Sequence, residues 1–175
     1  MTEKDFIIRD RMRFKNNKLS ARLAYLAIAT NVLYFILVFR LNDESLYKTI
    51  TGVSVLYNLV FLLAAFLCSE GAKNYKLGYS IALFVLAVGQ IARIFILPPE
   101  IYSVEYAGES GEVEYLITEG QHIRMIAYLA LSAAFALAAG VIGVIRTVKL
   151  KNHLAFIKKS DPKELIDYSR DEVVG

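Results

Sequence analysis

The sequence predicts an all-α integral membrane protein, a bundle of four membrane-spanning helices. The first observation is a set of four apolar runs of about twenty residues, the length at which a helix crosses hydrocarbon about 30 Å thick. The second is that apolar and polar residues do not alternate along these runs, as they do in the strands of a membrane barrel. The four predicted spans are Leu19–Phe39, Ile50–Cys68, Leu77–Leu97 and Ile123–Ile145.

The basic residues predict the orientation of the chain in the membrane. Of the 20 Lys and Arg residues, sixteen lie on the side of the two tails and the second loop, counting Arg22 near the start of span one. Three lie on the opposite side, counting Arg124 at the start of span four, and Arg93 lies deeper inside a span. Cytoplasmic segments are the ones enriched in Lys and Arg. We therefore predict a multi-pass protein of the plasma membrane with a cytoplasmic N-terminal tail over 1–18, one membrane domain over 19–145 and a cytoplasmic C-terminal tail over 146–175.

Spans one and two each carry an asparagine at a comparable depth, Asn31 and Asn58. A polar side chain in lipid needs a partner on another helix, and such interhelical hydrogen bonds stabilise by about 0.6–2 kcal/mol. We interpret the two asparagines as a structural pair between the helices. A polar transport path through them is the alternative.

Span three carries a charged residue inside its apolar run, Arg93, one turn after Gln90. An intramembrane arginine is costly and counts as a candidate functional residue. The favoured interpretation is an anchor whose guanidinium reaches the outer headgroups or pairs with Glu100, because Leu97 at the end of the span is close. The alternative is a residue that binds or transports a solute. The pair Pro98-Pro99 is expected to end the span sharply.

The loop between spans three and four predicts a β-hairpin over about 101–118, outside the cytoplasm. Two alternating segments flank the turn-rich stretch Ala107-Gly108-Glu109-Ser110-Gly111. An isolated hairpin is marginal in water, so its apolar face should dock on the bundle, the membrane or a partner. The expected docking residues are Tyr102, Val104, Tyr106, Val113, Tyr115 and Ile117.

Span four has small residues at a four-residue spacing, which lets membrane helices approach closely. They are Ser132, Ala136 and Gly140, then Ala130, Ala134 and Ala138, then Ala139 and Gly143. They predict that span four is either the most buried helix or the contact with another subunit. After it, a basic helix is expected to continue over Arg146–Lys159, and Asp161-Pro162 with Glu164 predicts the start of a further short helix.

No motif for catalysis, phosphate binding or metal binding accompanies the spans, and the spans contain no Asp or Glu. The single cysteine, Cys68, excludes an intrachain disulfide, and Glu119 with His122 is too small a set for a metal site. We therefore expect no enzyme activity, no cofactor, no metal and no nucleic acid. The expected partners are membrane lipids, including anionic headgroups on the cytoplasmic side, and other membrane subunits or copies of this chain.

The predicted function is that of a non-enzymatic accessory or assembly subunit of a larger membrane complex. It would pack through the small-residue helix faces and dock through the outer hairpin and the cytoplasmic tail. The alternative is a small homo-oligomeric transporter or channel for a small solute such as an anion. In that case Arg93 and Gln90 would attract the solute to a polar seam with Asn31 and Asn58.

Overall fold

The structure is a computed structural model that describes residues 15–40, 48–102, 105–107, 113–115 and 118–160. The N-terminal residues 1–14 and the C-terminal residues 161–175 lie outside this description. The short helix expected to start at Asp161 therefore stays a prediction.

The described residues form four long helices, as the apolar runs predict. They are α1 (Lys18–Arg40), α2 (Lys48–Lys73), α3 (Leu77–Tyr102) and α4 (Glu119–Ser160). All four are long and apolar enough to span a membrane. The chain is thus an integral membrane protein with a helical bundle, and the predicted all-α class is confirmed.

Helix α3 does not stop at the two prolines, so that expectation is wrong. It continues through Pro98 and Pro99 to Tyr102, which the sequence had suggested for the hairpin. The fixed φ of proline, about −65°, is itself helical, so the ring does not by itself force the chain out of the helix, although each proline removes one hydrogen bond to the carbonyl four residues earlier. The proline pair therefore weakens the C-terminal end of the helix without ending it.

Helices that follow one another in sequence pack against one another, and α4 closes the ring by packing against α1 as well as α3. Helices α2 and α4 lie diagonally and touch little. This arrangement is the usual result of short connections between antiparallel helices. It places one face of each helix toward a common interior.

The interior is built mainly from alanine. Two clusters of apolar side chains fill it, one with Ala27, Ala87 and Ala136, the other with Ala24 and Leu83 among its members. Small side chains let the backbones approach closely, and membrane helices associate through such packing because lipid is as apolar as their side chains. Close backbone contact therefore contributes to the core of this bundle, together with a few large buried side chains such as Phe61, Met125 and Leu129.

Serine hydroxyls reinforce this packing by donating to backbone carbonyls of neighbouring helices. Ser132 Oγ donates to Ala27 O at 2.9 Å, and Ser20 Oγ donates to Ala139 O at 2.7 Å. Both bonds join α1 to α4. They occur at two levels of the bundle, so they fix the register of the two helices.

The small residues of α4 divide between two faces of the helix. Five of them, Ser132, Ala136, Ala139, Gly140 and Gly143, are buried, whereas Ala130 and Ala134 are exposed and Ala138 is half-buried. A Cβ added at Gly143 would lie 2.9 Å from Ser80 Cβ, too close for two carbon atoms. One stripe therefore packs inside the bundle, and the other faces outward.

Helix α4 begins at a capping box that the sequence analysis overlooked. Thr118 N donates to Gln121 Oε1 at 2.9 Å, and Gln121 N donates to Thr118 Oγ1 at 3.3 Å. From there the helix runs without a break for 42 residues. The expected continuation over Arg146–Lys159 is part of this single helix.

Two strands of three residues each follow α3: β1 (Glu105–Ala107) pairs antiparallel with β2 (Val113–Tyr115). The turn between them lies outside the described residues, so the predicted hairpin over 101–118 is not shown as a unit. Tyr106 pairs with Glu114, and Glu105 pairs with Tyr115. Directly paired residues share a face of a sheet.

The register contradicts the single docking face expected for this segment. Tyr106 shares its face with Glu114, while Val113 and Tyr115 lie on the other face. A shift of one residue in register moves every residue of a strand to the opposite face, and the turn decides that shift. The sequence does not reveal the turn geometry, which explains the error.

Candidate functional site

A polar cluster lies inside the bundle and joins α1, α2 and α3. Its core is the set of four intramembrane polar residues predicted from the sequence, Asn31, Asn58, Gln90 and Arg93. The first three have no exposed surface, and Arg93 is 3% exposed. The structure thus brings together all four residues, from three helices.

Hydrogen bonds connect the four side chains around two amide oxygens. Asn31 Oδ1 accepts from Gln90 Nε2 at 2.9 Å and from Arg93 Nη1 at 3.3 Å. Asn58 Oδ1 accepts from Asn31 Nδ2 at 3.0 Å and from Arg93 Nη1 at 2.9 Å. The predicted pairing of the two asparagines is confirmed, and both of them also receive the guanidinium.

Two tyrosine rings enclose the guanidinium of Arg93. Its Cζ lies 4.3 Å from the ring centroid of Tyr34 on α1 and 4.7 Å from that of Tyr57 on α2. Both distances fall within the range at which an aromatic face attracts a cation, about 6 Å. The attraction is stronger away from water, so the rings stabilise a charge that lipid alone would reject.

This geometry corrects one form of the favoured interpretation of Arg93, the reach to the outer headgroups. The side chain turns into the bundle, where amide oxygens and aromatic faces surround it. Charged side chains within a span commonly face the bundle interior and pair with polar groups there, and here α1 and α2 offer several. The side chain of Glu100 lies outside the described residues, so pairing with it stays a prediction.

Two members of the site, Tyr34 and Tyr57, were not predicted from the sequence. Tyr34 is fully buried and follows Asn31 by three residues. Residues three apart lie on the same helix face. The same spacing separates Gln90 from Arg93. Spacing could therefore have indicated that Tyr34 faces the cluster.

A glycine on α3, Gly89, leaves the room that the phenol of Tyr57 occupies. A Cβ added at Gly89 would lie 2.8 Å from Tyr57 Oη. Gly89 therefore admits the phenol between α2 and α3, and the ring can reach the guanidinium of Arg93. This small residue is part of the site although it carries no polar group.

Chemically, the cluster is a cation held by neutral oxygens and π-faces. Gln90 Oε1 is buried and accepts no hydrogen bond from the described part of the chain. It offers an acceptor next to a fixed positive charge. This cluster can hold a positive charge in lipid and bind helices together. A guanidinium is also the side-chain group best suited to bind a carboxylate or phosphate.

Comparison of the chain with protein-family models, with curated proteins and with solved structures finds no match in any of the three. The function therefore has to be argued from the geometry of this chain.

Proposed function

We propose that the chain is a non-enzymatic accessory or assembly subunit of a larger complex in the plasma membrane, with both termini in the cytoplasm. The observation that carries the proposal is an outward stripe of alanines on α4. Ala127, Ala130 and Ala134 are all exposed, and they share one helix face because they are spaced by three and four residues.

This stripe differs from the lipid-facing surfaces of α2 and α3, although the exposed Leu131 and Leu137 flank it on α4. Helix α2 presents Leu56 and Leu63, exposed by 64% and 66%, and α3 presents Val85 and Phe95, exposed by 67% and 75%. Large side chains suit contact with lipid chains. A run of alanines suits the close approach of another helix, which gains its contacts from van der Waals packing.

The polar cluster also supports a structural role. Asn31, Asn58, Gln90 and Arg93 bond to one another and so hold three helices together. The sixteen-to-three distribution of basic residues supports the proposed orientation. A stable small bundle with one surface shaped for a further helix is what an assembly subunit requires.

The proposal predicts that Ala134→Leu will separate the chain from its complex without unfolding it. The larger side chain keeps a partner helix at a distance, whereas in lipid it only replaces one apolar contact with another. We expect gentle detergent purification of the wild type to recover a stoichiometric partner, and Ala134→Leu to lose it. Val85→Leu on α3 is the matched control and should retain the partner.

A cysteine at position 130 locates the contact. It should cross-link to that partner, and a cysteine at position 85 should not. A wild-type chain that purifies as a stable monomer without a partner, from native membranes and mild detergent, would contradict the assembly role.

A second candidate function is a small homo-oligomeric transporter or channel for an anionic solute. The observation that favours it is the inward position of Arg93, since an arginine held deep in a membrane bundle commonly marks a solute path. The planar guanidinium recognises carboxylate and phosphate by paired hydrogen bonds that lysine does not reproduce.

Flux through reconstituted protein separates the two candidate functions. If the chain is an assembly subunit, purified wild type in vesicles should show no more anion flux than empty vesicles. Flux that is present in the wild type and absent in a folded Arg93→Lys variant would favour the transporter instead. Ala134→Leu should leave such flux unchanged unless the transporter requires the α4 contact to form its oligomer.

A further inference from the structure

A second polar cluster lies toward the other end of the bundle from Arg93. It is located where α1 begins, where α2 turns into α3, and beside α4. Its members are Asn17, Tyr75 and Arg146. Asn17 N donates to Lys73 O at 2.9 Å, and Arg146 Nη1 donates to Asn17 Oδ1 at 3.3 Å. These two bonds join the start of α1 both to the end of α2 and to α4.

The turn after α2 holds Tyr75 in a conformation unusual for its residue type. Lys76 N donates to Gly71 O at 3.0 Å and Tyr75 N donates to Ala72 O at 3.2 Å, a Schellman motif. Its left-handed position, with φ of 56°, belongs to Tyr75. Glycine is usual there, because a residue with a Cβ is strained in this conformation. The turn thus keeps an aromatic side chain at an energetic cost.

Two polar atoms in this cluster are buried and have no hydrogen-bond partner among the residues that the structure describes, Asn17 Nδ2 and Tyr75 Oη. Asn17 has no exposed surface. Its amide orientation is fixed by its neighbours, because Oδ1 faces two donors, Arg146 Nη1 and Ser20 N. The NH₂ group is therefore the one left unsatisfied by the described part of the chain, and a buried donor without an acceptor is destabilising.

All three groups are donors. A phenol carries its proton at neutral pH, so the Tyr75 hydroxyl can donate. Burial raises the pKa of this phenol and outweighs the lowering effect of the Arg146 charge, so the hydroxyl stays protonated. The Tyr75 hydroxyl, the Asn17 amide and the Arg146 guanidinium are thus three hydrogen-bond donors, and a ligand with acceptor oxygens would complement them.

The surroundings favour an anion. Lys15, Lys18, Lys73 and Lys76 lie within three residues of Asn17 or Tyr75 in the sequence. The nearest described carboxylate in the sequence is Glu70, whose two oxygens accept from Tyr25 at 2.7 Å and from Lys73 at 3.1 Å. Basic recesses between membrane helices at this level bind phosphate headgroups.

We propose that Asn17, Tyr75 and Arg146 form a binding site for one phosphate group, supplied by an anionic phospholipid at the cytoplasmic face. Several acceptor oxygens on one tetrahedral centre can satisfy an amide, a phenol and a guanidinium together. The site lies where α1 and α3 begin and α2 ends. The cytoplasmic source of the lipid rests on the orientation proposed above, whereas the site itself does not depend on the assembly role.

Tyr75→Phe and Asn17→Asp test the site with little change to the fold. Phenylalanine removes only the hydroxyl, which has no partner in the described part of the chain, so the lipid-free protein should be as stable as wild type or more so. Aspartate keeps the oxygen that Ser20 and Arg146 bond to, and it replaces the donor NH₂ with a second oxygen. Tyr79→Phe, at an exposed tyrosine near the same turn, is the control.

The measurement is the affinity for phosphatidylglycerol, taken by native mass spectrometry in detergent with phosphatidylcholine as the uncharged comparison. We expect one tight phosphatidylglycerol per chain, weakened about tenfold in each of the two site variants, since a hydrogen bond to a charged group is worth about a factor of ten or more. The Tyr79→Phe protein should bind as wild type does.

A parallel arm with inorganic phosphate identifies the source of the group. We expect inorganic phosphate to raise the thermal stability of the lipid-free protein only a little. If it raises the stability of the wild type clearly and that of neither site variant, the phosphate site is real but its ligand is the soluble ion. Equal phosphatidylglycerol affinity in wild type and both variants would overturn the site. So would a loss of stability in lipid-free Tyr75→Phe, because it would show that the hydroxyl has a partner in the protein.

Discussion

Asn58→Leu is expected to destabilise the bundle by about 2–3 kcal/mol, because it removes an acceptor from a buried guanidinium. Asn58 Oδ1 is the nearer of the two amide oxygens that accept from Arg93 Nη1, and it also accepts from Asn31. In lipid the lost bonds cannot be replaced by water. Unfolding in mixed detergent, followed by circular dichroism, measures the change.

The double variant Asn58→Leu with Arg93→Leu should be more stable than Asn58→Leu alone. Removing the charge removes the group that was left unsatisfied, so the two effects should not add. Asn152→Leu, at an exposed asparagine of α4, is the control and should change little. Additive losses in the double variant would show that Arg93 does not depend on Asn58.

Ala136→Leu is expected to cost about 1–3 kcal/mol, or to prevent folding, because it adds three carbon atoms where helices are closest. Ala136 is 1% exposed and belongs to the cluster that contains Ala27 on α1 and Ala87 on α3. The neighbouring backbones would have to move apart, and the hydrogen bond from Ser132 Oγ to Ala27 O would lengthen. Thermal unfolding in detergent is the measurement.

Ala134→Leu is the matched control for this change. It makes the same substitution two residues away, on the exposed face of the same helix. Its stability should equal that of wild type, whatever its effect on partner binding. Equal losses at positions 134 and 136 would mean that the buried and exposed faces of α4 have been assigned wrongly.

The spans and the pairing of polar residues could be predicted because lipid provides no hydrogen-bond partners. A run of twenty apolar residues has to satisfy its own backbone, and an asparagine such as Asn31 has to find a partner inside the bundle. The predicted ends of the helices were less accurate. Helix α4 begins at Glu119 rather than Ile123 because a capping box, and not the first apolar residue, starts it.

The direction of Arg93 could not be predicted from its distance to the end of the span. That direction depends on which neighbour is nearer, and the neighbours lie 35 and 62 residues away in the sequence. Which face of α4 is buried could not be predicted either. Both stripes of small residues satisfy the packing rule, and only the positions of α1 and α3 distinguish them. The register of β1 and β2 depends on a turn whose geometry the residue types leave open.

The polar cluster has a consequence for the order in which the helices enter the membrane. An arginine inside an isolated helix opposes insertion, by about 2.5–3.5 kcal/mol at the helix centre and by less toward its end, where Arg93 lies. Helices α1 and α2 are synthesised before α3, and the bond from Asn31 Nδ2 to Asn58 Oδ1 needs only those two. The first helical hairpin can thus present amide oxygens before Arg93 leaves the ribosome, so that α3 inserts against a prepared partner rather than into bare lipid.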